Sequence, residues 1–182
     1  MAMKSPVCEF GWSGPDFSLP GTDGKVWSRS EIVGTNGQLI MFICNHCPYV
    51  MSILNQLLED ISIIESHGIK VVAICSNDAK YYPEDSFENM KKMAIEKKFS
   101  FPYLHDESQE VAHAYDAVCT PDFFGFNKNN ELQYRGRHSS SGKNVTTNSR
   151  RELQEAMILI AETGTGPKEQ NPSMGCSIKW KN

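Results

Sequence analysis

The chain has 182 residues, 40% hydrophobic and 22% charged, which is enough for one substantial core and ordinary for a globular domain. A formal net charge of -4 supplies no basic footprint for nucleic acid, and no long apolar run offers a membrane span. The opening "MAMKSPVCEFGWSGPDF" has one lysine and no continuous apolar stretch, so it does not read as a secretory signal and a cytoplasmic location is expected. A removed signal peptide would leave the same sequence.

In chain order, residues 15–27 ("PDFSLPGTDGKVW") predict a β-hairpin: Phe17 and Leu19, then Val26 and Trp27, flank an Asp23-Gly24 turn. "QLIMFIC" (38–44) is a continuous apolar run too short for a helix and fits a strand buried on both faces. Val50, Ile53, Leu54, Leu57, Leu58, Ile61 and Ile64 then recur at helical spacing until Gly68 stops the helix. "IKVVAIC" (69–75) is a second buried strand, which closes a βαβ unit with an expected right-handed crossover. A second helix follows "YYPEDS", with Asp85 and Glu88 placed as a capping box. "FPYLHD" predicts a short strand, "ESQEVAHAYDA" a short helix and "VCTPDFFGFN" a strand, with Asn129-Asn130 turning into "ELQYRG". Ser149 and Glu152 are placed to cap a last helix carrying Leu153, Ala156, Met157 and Ile160 on one face. The expectation is one α/β domain over residues 1–162, with residues 163–182 as a tail docked on it.

Six cysteines (Cys8, Cys44, Cys47, Cys75, Cys119 and Cys176) are too scattered for a disulfide scaffold. In a reducing compartment such residues are catalytic, metal-binding or buried. "CNHC" (44–47) falls where a buried strand gives way to a long helix. Helix N-termini offer unpaired N–H groups and a positive dipole end, the setting that lowers a cysteine pKa from about 8.5 to between about 3.5 and 7.5. On this reading Cys44 is the activated sulfur near the surface and Cys47 the deeper one that resolves a mixed disulfide, with His46 stabilising or covering Cys44. Pro48 belongs in the first turn and biases Cys47 away from helical angles. Zinc would require about four ligands, and there is no second Cys-x-x-Cys while His67, His105, His113 and His138 are isolated.

A Cys-x-x-Cys beside a βαβ pattern reads as thioredoxin-like. "CNHC" after a buried strand, with "TP" before a strand about 75 residues later, resembles the thioredoxin superfamily. The "PDFSL…TDGKVW" hairpin resembles its redoxin branch, the alkyl hydroperoxide reductase/thiol-specific antioxidant (AhpC/TSA) proteins and TlpA-like oxidoreductases. "FICNHCPYV", "SNDAKYYPEDS", "CTPDFFGF" and "GCSIKW" look like Cys-x-x-Cys-bearing members of that branch, so the resemblance covers nearly the whole chain. It implies a thioredoxin-like fold with a central mixed sheet flanked by helices, and it makes Thr120-Pro121 the cis-proline element that faces the cysteines and pairs with substrate.

The sequence departs from the pattern at three places. Ile43 replaces the usual tryptophan before the first cysteine, and Gln38 replaces a buried acid, so no base for Cys47 is named by the sequence. Ile40 and Cys44 replace the Pro and Thr of the peroxiredoxin Pro-x-x-x-Thr-x-x-Cys motif, whose cysteine aligns with Cys47.

The expected activity is thiol–disulfide exchange by Cys44 and Cys47, supported by His46, Thr120 and Pro121, in an antioxidant or redox-homeostasis role. It needs no organic cofactor and no metal. Electrons come from a dithiol protein or a small thiol. A thiol peroxidase reducing hydrogen peroxide or alkyl hydroperoxides is the alternative, and a metal-carrying or regulatory module using Cys44, His46 and Cys47 is a third reading. Cys176 reads either as a third thiol able to reach the site or as part of a segment docked by Ile178 and Trp180. Cys119 is a second candidate third thiol or a small buried side chain, Cys75 reads as structural, and Cys8 lies in a terminus expected to be mobile. Tyr49, Tyr81 and Tyr82 are placed to rim a groove.

Overall fold

A computed structural model describes residues 1–182. Its centre is a five-stranded mixed sheet of order β6-β5-β4-β8-β9, built from β4 (Gly37–Phe42), β5 (Ile69–Cys75), β6 (Tyr103–His105), β8 (Asp122–Asn127) and β9 (Leu132–Arg135). β4, β5 and β6 run parallel, β8 pairs antiparallel with β4, and β9 pairs antiparallel with β8, so β8 alone runs against the other four. α1 (Pro48–Ser66) crosses between β4 and β5. The expected thioredoxin-like α/β fold is therefore present.

Alternation along β4 divides the core. Leu39, Met41 and Ile43 face one cluster with α1, α2 (Phe87–Glu96) and α4 (Glu152–Thr163). Ile40 and Phe42 face a second cluster with Phe17, Leu19, Ile32, Ala112 of α3 (Glu110–Ala114) and Tyr115. A strand buried on both faces has no polar positions to alternate, which is why the sequence shows a continuous apolar run. α1 buries Val50, Ile53, Leu54, Leu57, Ile61 and Ile64. That burial contributes on the order of 10 kcal/mol before the entropy of ordering.

The predicted hairpin is β2 (Ser18–Pro20) paired with β3 (Val26–Ser28), turning through Gly24 at φ 83°. At the Asn129-Asn130 turn Asn130 takes φ 60°, and the Asn127 side chain accepts from the N–H groups of Asn129 and Glu131.

Three expectations are corrected. Ser86, not Asp85, caps α2 by accepting from Asn89 N–H, and Glu88 pairs outward with Lys91. Asp85 is instead fully buried, because its carboxylate has stronger partners inside. At α4 the N-cap is Arg151, and Glu152 turns away from the cap to make two 2.8 Å hydrogen bonds with Arg137. A bidentate charged pair outweighs a neutral cap. The last segment carries a strand of its own: β10 (Met174–Ser177) lies between β1 (Ala2–Lys4) and β7 (Cys119–Thr120) in a separate antiparallel sheet. That pairing anchors the N-terminus too, so Cys8 is half-buried against the second core cluster rather than in a mobile end.

Candidate active site

Cys44 and Cys47 lie in the connection between β4 and α1, and Asn45 straps that connection down. Its N–H donates to Asp85 Oδ1 at 2.7 Å, its side-chain amide donates to Glu84 O at 2.9 Å, and its Oδ1 accepts from Tyr103 Oη at 3.0 Å. Cys47 is the N-cap of α1, with Pro48 in the first turn and Cys47 itself extended at φ -66°, ψ 121°, as a residue before proline requires. Cys44 stands three residues before the cap, so the helix terminus belongs to Cys47. The expected exposed Cys44 is not seen either: Cys44 and Cys47 are 1% and 0% exposed.

The Thr120-Pro121 peptide is cis and faces both sulfurs, as expected. Thr120 Oγ1 is 3.4 Å from Cys44 Sγ, and the Cys47 thiol donates to Thr120 O at 3.1 Å. His46 is covered by Tyr82, the rings stacking at 5.6 Å and 8°. Its Nδ1 lies 2.7 Å from Asp85 Oδ2 but out of line for a full hydrogen bond.

Electrostatics separate the two sulfurs. The neighbouring Cys44 thiol, first, then the Cys176 thiol, the Thr120 side chain and the backbone N–H of Val50 lower the Cys47 pKa to about 4, against a smaller opposing effect of burial. Loss of the hydrogen bond to Thr120 O also opposes that ionisation. Cys44 is pushed well above the usual thiol range by its interaction with Cys47, by burial and by the Asp85 carboxylate. The interaction between the two thiols thus favours ionisation of Cys47 and disfavours that of Cys44.

Asp85 is the site residue that sequence reading missed. It accepts from Asn45 N–H and from Asn77 Nδ2 (2.8 Å), and one of its oxygens lies within 4.8 Å of both Cys44 Sγ and a His46 ring nitrogen. The motif "YYPEDS" held it, but its local spacing matched a helix cap. Gln38, at the position where the thioredoxin pattern has a buried acid, accepts from Arg29 Nε at 2.9 Å and has a structural role. Cys44, His46 and Asp85 supply three ligand atoms in reach of one metal ion, one fewer than a structural zinc site takes.

Of the remaining cysteines, Cys176 sits in β10 opposite Thr120 and packs against the core cluster that holds Cys44 and Cys47. Ile178 is buried and Trp180 stacks on His113 at 4.1 Å, so docking and proximity to the site occur together. Cys119 is buried, donating to Pro121 O at 3.6 Å, with burial holding its thiol neutral. Cys75 is buried in β5, raised to about 12 by desolvation. Beside Pro121 a groove of about 400 Å³ runs past Tyr49, His138, Lys143 and Ser173. Tyr49 therefore rims a groove, while Tyr82 covers His46 and Tyr81 lines a separate cavity with Lys80 and Asn182.

The fold has many solved counterparts. An uncharacterized conserved protein from Geobacillus kaustophilus is 43% identical, with a TM-score of 0.93 over 100% of this chain and 97% of that one. A hypothetical protein, SMc02350, from Sinorhizobium meliloti 1021 is 34% identical, with a TM-score of 0.92 over 98% of each chain. The peroxidoxin BcpB from Mycobacterium tuberculosis is 13% identical with a TM-score of 0.63, covering 85% of this chain and 97% of that one, and shares the fold. Among curated proteins, none matches the sequence. Residues 11–135 match the AhpC/TSA family model, a span that runs from the hairpin through the sulfur-bearing connection and Thr120-Pro121 to the end of β9. With the thioredoxin-like sheet beneath that site, the chain belongs to the AhpC/TSA family, among proteins of redox function.

Proposed function

We propose that the protein is a thiol–disulfide oxidoreductase that cycles Cys44 and Cys47 between dithiol and disulfide. The observation that carries this reading is the pair of buried sulfurs facing Thr120-Pro121, with Cys47 shifted toward its thiolate and Cys44 away from it. In this reading Cys47 is the thiolate that attacks a disulfide, the reverse of the order expected from sequence. Cys44 then loses its proton toward the His46–Asp85 pair and attacks Cys47, releasing the second partner thiol. The partner attacked is a protein disulfide, a dithiol protein or a small thiol returns the pair to the reduced state, and the groove beside Pro121 is where a partner chain would lie.

The test is a redox titration against glutathione, with Cys44→Ser and Cys47→Ser as controls. A reversible two-electron transition between about −270 and about −120 mV, lost in either variant, supports the reading. Absence of that transition in folded protein refutes it. A second reading, thiol peroxidase, is favoured by the position of the thiolate: Cys47 aligns with the peroxide-attacking cysteine of the family pattern, although Cys44 holds the place of its threonine. Peroxide consumption abolished by Cys47→Ser, without disulfide-exchange activity, would select it.

A further inference from the structure

The two sulfurs of the proposed pair are closed off from solvent, yet a macromolecular partner must exchange electrons with them. Cys176 is placed between these requirements: it is partly exposed, and it packs against the core cluster that contains both sulfurs. Its strand position is fixed. Cys176 pairs with Thr120, whose carbonyl oxygen is 3.1 Å from Cys47 Sγ, and such cross-strand partners have Cα atoms about 5 Å apart. Gly175 permits the approach, since a Cβ there would meet Thr120 O at 1.9 Å.

The segment is also held from both ends. β1 pairs with β10 on its outer side. Beyond the strand, Ile178 N–H donates to Val118 O at 3.1 Å, and Lys179 N–H donates to Asn77 Oδ1 at 2.9 Å. That same Asn77 donates to Asp85, so the last segment is tied into the site's own hydrogen bonds.

Resting on the dithiol reading above, we propose that Cys176 is a third redox thiol, which draws the disulfide out of the buried pair and presents it to the reducing partner. The Cys176 thiolate attacks Cys47 Sγ of the Cys44–Cys47 disulfide. A Cys47–Cys176 bond forms, the Cys44–Cys47 bond breaks, and the electron pair leaves on Cys44, which takes a proton. A partner dithiol then attacks Cys176, frees Cys47 as a thiol and leaves as its own disulfide after its second thiol displaces Cys176. The partner's two electrons reduce one disulfide, and no other oxidant or reductant is involved.

The charge state of the pair gates the step. In the reduced protein, burial first and then the neighbouring Cys47 charge hold Cys176 up at about 11, while Lys179 and the N-terminal ammonium pull it down. Oxidation of the pair removes both Cys47 contributions and so lowers the Cys176 pKa, although burial still opposes the thiolate. Cys176 thus ionises more readily when there is a disulfide to attack.

The experiment uses the full chain with Cys44→Ser, which cannot close the buried disulfide. Oxidised glutathione is added, free thiols are blocked in acid, and tryptic peptides are mapped. The expected product is peptide 30–70 joined through Cys47 to peptide 169–179 through Cys176. In Cys44→Ser/Cys176→Ser, a Cys47–glutathione adduct persists instead. A second readout is the reduction of oxidised protein by a reduced protein dithiol, which Cys176→Ser should slow by about tenfold or more. A persistent Cys47–glutathione adduct in folded Cys44→Ser, or an unchanged reduction rate in Cys176→Ser, overturns the relay. The wild-type glutathione titration separates the two readings. A reversible transition without any Cys47–Cys176 linkage removes the relay and leaves the dithiol function, whereas absence of the transition removes both.

Discussion

Replacing Asp85 by Asn should free Cys44 to ionise. The carboxylate is fully buried, and one of its oxygens lies within 4.8 Å of Cys44 Sγ. Two unit charges at that separation repel by about 3 kcal/mol at an effective dielectric of about 20. That is equivalent to about 2 pK units on Cys44, or about a hundredfold more thiolate at neutral pH. Asn keeps the shape and one acceptor oxygen, whereas Ala would strip the acceptor from Asn45 N–H and Asn77 Nδ2 together. Hydrogen bonds to a charged acceptor contribute about 1.5–3 kcal/mol each, so Asp85→Ala should lose about 3–6 kcal/mol of stability. The assay is the rate of iodoacetamide alkylation at Cys44 against pH, read by peptide mass. It compares Cys47→Ser with Cys47→Ser/Asp85→Asn, so that the coupled partner is absent from both. Burial slows both proteins alike and cancels in the ratio. An unchanged or raised Cys44 pKa in folded Asp85→Asn protein would refute the electrostatic account of the site.

Thiolate absorbance at 240 nm in the reduced protein should persist through neutral pH, fade only as pH falls to about 4, and be absent in Cys47→Ser. Because the folded value lies below the unfolded value of 9.0, the stability this group contributes is complete above about pH 9 and lost as pH falls through about 4. The urea-midpoint advantage of reduced wild type over Cys47→Ser should shrink across that window. Gly175→Ala places a Cβ 1.9 Å from Thr120 O and should unseat β10, which limited proteolysis after Lys168 or Lys179 would detect while the five-stranded sheet keeps its circular dichroism. Asp122 and Arg135 form a buried 2.9 Å pair, so Asp122→Ala should cost about 3–5 kcal/mol in urea unfolding by leaving the guanidinium uncompensated.

The elements that sequence alone determined are those whose cause is local. β4 and β5 announce themselves because strands covered on both faces must be apolar throughout, and α1 because a helix with one buried face repeats its aliphatic residues every three to four positions. Cys44 and Cys47 were legible because only two residues separate them, and Thr120-Pro121 because the pair resembles a known element. Tertiary structure decided what distance along the chain conceals. Asp85 looked like a helix cap by spacing, yet it meets Asn45 forty residues earlier. Glu152 looked like another, yet the Arg137 fork outweighs a cap. The downward shift of Cys47 comes first from Cys44 beside it, and β10 then brings Cys176 to bear on the same sulfur from the far end of the chain. Periodicity records which face of an element is buried. It does not record which side chains from distant segments share that burial, and in a site enclosed by protein those contacts set where a proton can leave.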